Sequence, residues 1–352
     1  MPELRNIPIG EPIECGQSEG DRFKVSVVVP VFNTAEYLPE CLDSLTGQTL
    51  DSVQIIIVND GSTDSSALIA ERYANNNPES IVYLQQDNSG QGAARNLALR
   101  YCEGEYVGFM DSDDFADIRM YELMYEKAKA SNADMCVCGI VSFCSQDGKR
   151  VYDTSAQLPE EPATQKGLFL SPQTQPPIRL IRREVLEKNS IRYPETRGSE
   201  DNGFHFKVAP YCHSIVAVKL PMVKRRIRSF STASNISASF CDQFFSVADD
   251  AIGFYSENGL IDDHGELLEA ALVRMLLCSR LGCIGLVDDK KARKTLTKKT
   301  AVFIEKQFPH RGRNRYLSGI TGMYLKHAGY SAIVLFRGYF SLRYRKKMHL
   351  SN

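Results

Sequence analysis

Four β-rich apolar runs, Val25–Val29, Val53–Val58, Ile81–Leu84 and Tyr106–Met110, alternate with helix-like stretches in the first third of the chain. This alternation predicts a parallel sheet covered by helices, an α/β fold. The first helix is expected after a capping Thr34, with Leu38, Cys41, Leu42 and Leu45 on one face. The second is expected from about Ser62 to Asp64, burying Leu68 and Ile69, and the third from about Gly92, with Leu97, Ala98 and Tyr101 inside. In such sheets ligands sit at the carboxyl ends of the strands, so the residues just after each run are the ones to search for chemistry.

Three of those ends are polar or acidic: Pro30-Val-Phe-Asn33, Asn59-Asp-Gly-Ser-Thr-Asp64 and Asp111-Ser-Asp-Asp114. Asp111 and Asp113, one residue apart in an extended turn, suit a hard divalent cation that bridges carboxylates to substrate phosphates. Acidic turns after strands are common, so this pair alone decides little. Gly90-Gln-Gly-Ala-Ala-Arg95 lacks the third glycine of the dinucleotide fingerprint and follows the third run instead of the first, and there is no Walker-type loop. Two readings stay open: Gly90 and Gly92 shape a turn into a helix whose N-terminus and Arg95 face a nucleotide, or Arg95 makes a structural ion pair.

The remainder divides more loosely. Residues 1–22 read as a surface leader. Between Ser145 and Pro177 periodicity disappears and five prolines occur, which predicts a long ordered loop joining two halves of a catalytic domain. A helix over Arg183–Asn189, a helix over Asp201–Val208 and a strand over Ile215–Val218 follow, and beyond Asp242 the pattern is helical, clearest over Leu267–Leu277. The expected division is a catalytic domain over 23–241, with a donor half at 23–144 and an acceptor half at 145–241, then a helical region over 242–352.

With 42 basic and 43 acidic residues the chain has no broad attraction for nucleic acid or anionic lipid, so an anionic partner needs a local site. The ten cysteines are scattered and read as reduced and buried, with Cys136 and Cys138 on one face of a strand. No secretory signal opens the sequence, and the most apolar window, Ala270–Val287, contains Arg274 and Arg280, so a cytoplasmic protein is expected. The segment Arg337–Lys347 interleaves five basic residues with aromatics, as a peripheral contact with the inner face of an anionic membrane would, or equally a solvated helix end or subunit contact.

Taken in order, Val25-Ser-Val-Val-Val-Pro-Val-Phe-Asn33, Ser44-Leu-x-x-Gln48, Val58-Asn-Asp-Gly-Ser-Thr-Asp64, Asn88-Ser-Gly-x-Gly-Ala-Ala-Arg-Asn96, Phe109-Met-Asp-Ser-Asp-Asp114 and Ser199-Glu-Asp201 resemble the family 2 inverting glycosyltransferases, over roughly Phe23 to Arg228. The resemblance implies the GT-A nucleotide-diphosphosugar fold, a UDP-linked donor, Mn²⁺ or Mg²⁺, and inversion at the anomeric carbon. Carried over by position, it puts Pro30 and Phe32 around the base, with Phe32 as a stacking face where the family usually has tyrosine, and Asn33 at the donor. It gives Asp60 the uracil imide and sets Gly92, Arg95 and Ser112 at the donor. Asp111 falls to ribose or metal, Asp113 to the metal, Asp201 to the general base and Glu200 to its support.

Ile178–Asn189, Tyr193-Pro-Glu195 and Ser199-Glu-Asp201 resemble bacterial wall teichoic acid and capsule glycosyltransferases more narrowly. That implies a glycan, teichoic acid or lipid-linked acceptor. Val223-Lys-Arg-Arg-Ile-Arg228 replaces the tyrosine-rich stretch of many relatives and reads either as a phosphate-binding cluster or as a solvated strand end. His205 lies one helical turn beyond Asp201 and reads as a polar packing residue or, as the weaker reading, a metal or diphosphate contact. Two rivals remain: a sugar nucleotidyltransferase, which would carry a basic glycine-rich loop after the first strand, and an inactive glycan-binding protein on the same fold.

Overall fold

A computed structural model describes residues 22–144, 150–154, 158, 164–171, 174–227 and 236–348. The leader therefore lies outside the described residues, except for Arg22. The chain divides into two compact units: one from the described residues up to 163 with 175–193 and 212–226, the other from 164–174, 194–211 and 227 onward.

The first unit holds β1 (Phe23–Val31), α1 (Leu38–Thr46), β2 (Val53–Asp60), α2 (Ser66–Asn76), β3 (Ile81–Gln86), α3 (Gln91–Leu99), β4 (Gly104–Phe109), β5 (Phe115–Ala116), α4 (Met120–Ala130), β6 (Met135–Cys144) and β7 (Arg150–Asp153). The second unit contributes α5 (Gln165–Phe169); β8 (Arg179–Arg182) and α6 (Arg183–Lys188) return to the first. Next come α7 (Glu200–Val208) in the second unit and β9 (Ile215–Ile227), nearly all in the first. The rest of the second unit is helical: α8 (Ala238–Glu257), α9 (Ile261–Arg274), a π-helical turn over Met275–Arg280, α10 (Leu281–Gly285), α11 (Lys290–Gln307), α12 (Gly319–His327) and α13 (Tyr330–Met348).

The strands form one sheet in the order β3-β2-β1-β4-β8-β6-β9-β5, with β7 on β6. Its first four strands are the four apolar runs, parallel as expected. Of these, β1, β2 and β4 are buried on both faces: Val25, Val27 and Val29 pack with Leu38, Cys41, Leu42 and Leu45 of α1, and Val28 and Ile56 are equally inaccessible, while the outer strand β3 is only partly covered. From β8 onward the recorded pairings are antiparallel. The described cysteines are free, and all but Cys144 and Cys278 are buried. Burial pushes the Cys102 thiol up to about 12, so it stays a neutral, apolar packing group.

Three local expectations need correction. Leu68 is 70% exposed, and the inner side of α2 is Ser66 and Ala70, with Ile69 only partly buried. The cause is polar: Asp64 accepts the Ser66 and Ala35 backbone N–H groups, and the Thr34 N–H donates to Ser66 Oγ at 2.9 Å. These bonds turn Ser66 inward, and Leu68, about 200° further round the helix, faces out. In α3, Tyr101 lies past the helix end and Leu97 is half-buried, while Gly92, Ala94, Arg95 and Ala98 face in. Among its described residues the span from Ser145 to Pro177 is not all ordered loop, since β7 pairs with β6 and α5 is capped by the Thr164 hydroxyl, which accepts the Gly167 N–H at 3.0 Å.

Candidate active site at the carboxyl edge of the sheet

Strand register determines which polar ends meet. Pro30 pairs with Val58, Val31 with Asn59, Asn59 with Gln85 and Asp60 with Gln86, while Val28 pairs with Phe109. The residues after β1, β2 and β4 therefore leave the sheet at one edge, β1 and β2 ending within about a residue of one level and β4 three residues earlier. Phe32, Asn33, Asp60 and Asp111 to Asp114 are brought together there, as the sequence predicts.

Each is held differently. Pro30 is buried, whereas Phe32 is 46% exposed, an unusual position for a large apolar residue at a polar edge. Asn33 has a left-handed backbone (φ 50°), and its side-chain oxygen accepts the Thr63 N–H at 2.8 Å while its own N–H donates to Ser62 Oγ at 3.1 Å. It braces the loop after β1 against the loop after β2. Asp60 is buried and accepts three hydrogen bonds: from Gln86 Nε2 (2.7 Å) and Ser89 N (2.8 Å) on Oδ1, and from Gly90 N (2.9 Å) on Oδ2. With about two lone pairs per oxygen, Oδ2 keeps one acceptor position for a ligand. Gly90 adopts φ 93°, which a side chain would resist, and this turns its N–H onto Asp60 as α3 begins.

Gly92 is buried in the first turn of α3, and Arg95, one turn on, is almost wholly buried. The Arg95 guanidinium donates to Asp111 Oδ1 at 2.8 Å and lies 5.1 Å from the centre of the Tyr193 ring. The ion-pair reading of Arg95 is thus present, and its effect is to fix Asp111, which stays about one-third exposed. The buried Ser112 accepts a hydrogen bond from Thr34 Oγ1 at 2.9 Å, tying the turn after β4 to the loop after β1. Asp113 is half-buried on that turn. Among the described residues no three His, Cys, Asp or Glu side chains converge on a point that could hold a metal ion. The donor set at Asp111 and Asp113 nevertheless suits a hard cation completed by ligand phosphate oxygens.

Two residues at this edge were not singled out from the sequence. Asp114 is buried, and burial together with the charges of Asp113 and Asp111 raises its carboxyl well above the usual carboxylate range. Its Oδ1 accepts the Arg226 backbone N–H at 2.8 Å, and Arg226 Nε donates to the Asp113 carbonyl at 3.1 Å. The Arg226 guanidinium pairs with Glu40 and lies 5.0 to 5.6 Å from the ring centres of Tyr37, Phe115 and Phe143. Arg226 is therefore neither a free phosphate-binding group nor a solvated strand end; it clamps the Asp113–Asp114 turn, and Arg228 lies outside the described residues. The partners are 112 residues apart in sequence, so only the β5–β9 pairing could reveal them.

Arg226→Ala removes the Nε bond, the ion pair and the ring contacts, a loss expected to cost about 2–4 kcal/mol of unfolding free energy. Arg226→Lys should recover part of that, because it restores charge without the planar fork. Denaturant unfolding of the two variants checks this, and a shift below a few tenths of a kcal/mol in Arg226→Ala would remove the clamp from the account.

Asp201 and Glu200 belong to the second unit. They occupy the first turn of α7, whose N-cap Ser199 is left-handed (φ 64°). Glu200 is 2% exposed, while Asp201 is half-buried. The helix is anchored by Lys207, paired with Asp250 at 2.7 Å, and by the Tyr255 hydroxyl, which donates to the Phe206 carbonyl at 2.8 Å. His205 is fully buried against Phe206, which fits its packing reading.

Residues 26–190 match the family described as "Glycosyl transferase family 2". The chain is 30% identical over 261 residues to the putative glycosyltransferase EpsH of Bacillus subtilis (strain 168), covering 71% of this chain and 74% of that protein. It belongs to glycosyl transferase family 2. A second relative, the poly(ribitol-phosphate) beta-glucosyltransferase of Bacillus spizizenii, is 31% identical over 185 residues, 51% of this chain and 28% of that longer protein. Among solved structures, residues 1–349 of S. aureus TarS in complex with UDP-GlcNAc superpose with a TM-score of 0.67 at 21% identity, covering 92% of each chain. That likeness shows the fold, the α/β GT-A arrangement with its C-terminal helices.

Within this family 2 glycosyltransferase, Asn96 also gains a structural reason. Its side chain accepts the Tyr193 N–H at 2.8 Å and donates to the Tyr193 carbonyl at 3.0 Å, which holds the Tyr193 ring beneath Arg95 and edge-on to Phe109. The Ala-Ala-Arg-Asn96 and Tyr193-Pro motifs are thus two parts of one support for Asp111.

Proposed function

We propose that the protein transfers a hexosyl or N-acetylhexosaminyl group from a UDP-linked donor, with inversion, to a wall glycan, teichoic acid or lipid-linked precursor on the cytoplasmic side of the membrane. The observation that carries this reading is the common edge of β1, β2 and β4. There an exposed ring, a buried carboxylate with one acceptor position left and a braced pair of carboxylates answer to base, imide and diphosphate. Phe32 offers its face to the uracil, with Pro30 and Asn33 shaping the loop beside it. Asp60 accepts the ring imide N–H through Oδ2.

Asp113, with Asp111, would hold Mn²⁺ or Mg²⁺, which neutralises the diphosphate and eases its departure. Arg95 orients Asp111, and the Arg226 clamp sets the height of the Asp113 turn. Asp201 takes the proton of the acceptor hydroxyl as that oxygen bonds to the anomeric carbon and the bond to the diphosphate breaks. Its partial exposure beside a buried Glu200 supports giving the proton transfer to Asp201 and a supporting role to Glu200. The acceptor class rests on likeness to proteins named for poly(ribitol phosphate) and minor teichoic acid synthesis.

Nucleotide release tests the reading. With UDP-GlcNAc, UDP-glucose and UDP-galactose offered separately with Mn²⁺ or Mg²⁺, one donor should release UDP, faster when a teichoic acid or wall glycan acceptor is present. No release from any donor would leave an inactive glycan-binding protein, and pyrophosphate release from UTP with a sugar phosphate would make it a nucleotidyltransferase.

A further inference from the structure

Helix α13 is apolar on both sides, and a helix of that kind is normally buried on both. Here only one side is covered. Ile333, Phe340 and Ser341 face into the second unit, and the helix lies so close to α10 that a Cβ on Gly285 would fall 1.8 Å from Ser341 Oγ. Arg337 adds a bond from its guanidinium to Thr297 Oγ1 at 2.8 Å. These contacts fix the rotation of α13 and leave Leu335, Tyr339 and Leu342 as an outer strip, 76%, 53% and 64% exposed, flanked by the less exposed Val334 on one side and by Phe336, packed on Tyr324, on the other. Exposed strips of this kind mark interaction surfaces.

Charge selects the partner. From Lys306 to Asn352 the sequence holds ten Lys or Arg and no Asp or Glu, whereas residues 1–305 hold the remaining 32 basic residues and all 43 acidic ones. A near-neutral chain thus carries a strongly positive C-terminal segment; within it Arg311 is buried on backbone carbonyls, Arg315 pairs with Glu266 and Arg337 turns to Thr297, while Arg343 is exposed beside the strip. A second copy docked strip to strip would bring two such ends together and be repelled. An anionic lipid surface answers both features, because apolar side chains enter the acyl boundary while basic ones stay among the headgroups.

We infer that the outer strip of α13 docks the protein on an anionic membrane surface. This rests on the proposed acceptor only for its purpose, since vesicle binding requires no donor, metal or acceptor. No helix among the described residues is long and apolar enough to cross a membrane, so the contact is with the surface.

Co-sedimentation of the full chain with equimolar phosphatidylcholine–phosphatidylglycerol vesicles, and with phosphatidylcholine alone, tests it. Binding to the anionic vesicles should exceed that to the neutral ones, fall with salt, and drop by about tenfold or more in Leu335→Glu/Leu342→Glu. Arg343→Glu should weaken it less, by severalfold. All these positions are exposed, so thermal unfolding midpoints should match wild type. Equal binding by the double variant, no binding by wild type, or a wild-type dimer that the double variant breaks without any vesicle binding would each overturn the inference. Loss of vesicle binding with UDP release intact refers only to the strip, and the reverse only to the active site.

Discussion

Asp201→Asn should lower the transfer rate by about 10² to 10⁴ while leaving donor affinity close to wild type, because the amide keeps the shape of the carboxylate but cannot take the acceptor proton. Donor affinity is expected to survive because the groups assigned to the donor, Phe32, Asp60, Asp111 and Asp113, belong to the first unit and Asp201 to the second. Glu200→Gln should be the milder change, since Glu200 is buried and Asp201 is not. Transfer rate and donor affinity measured on both variants decide the assignment, and an active Asp201→Asn beside an inactive Glu200→Gln would reverse the two roles.

The second large effect is expected at Asp113. Replacing it with Asn leaves the turn in place, since the Arg226 bond goes to the Asp113 carbonyl and the backbone N–H of Arg226 goes to Asp114. What is lost is one carboxylate charge where a diphosphate and its counter-ion would sit. A metal interaction worth several kcal/mol corresponds to about 10² or more in donor affinity and turnover. The thermal unfolding midpoint without nucleotide should barely move. Full metal-dependent activity in Asp113→Asn would remove this residue from the site.

The sequence is most legible where the fold depends on local pattern. The strands β1 to β4 read directly, because central parallel strands are apolar on both faces, and the residues following them could be read as one functional edge from topology alone. Legibility fails where a long-range pairing decides. Leu68 looks like a core residue by spacing, yet the Thr34 N–H donating to Ser66 Oγ and the Ser66 N–H donating to Asp64 set the rotation of α2. The two residues of β5 carry no pattern of their own and are strand only because Lys224 and Val223 of β9 pair with them. The same pairing brings Arg226 to Asp114, so a basic run that reads as a phosphate-binding cluster or a solvated strand end holds a largely covered internal clamp. Arg95 is an intermediate case: both of its readings point to the same place, and the structure adds that its charge is spent on Asp111.

Calorimetric titration of the protein with the UDP-sugar that supports turnover tests the central claim most directly. Binding is expected in Mn²⁺ or Mg²⁺, with loss of that binding in EDTA and in Asp113→Asn, and retention in Asp201→Asn. Binding of equal strength in EDTA, or in Asp113→Asn with metal present, would contradict the assignment of the sheet edge as a metal-assisted diphosphosugar site.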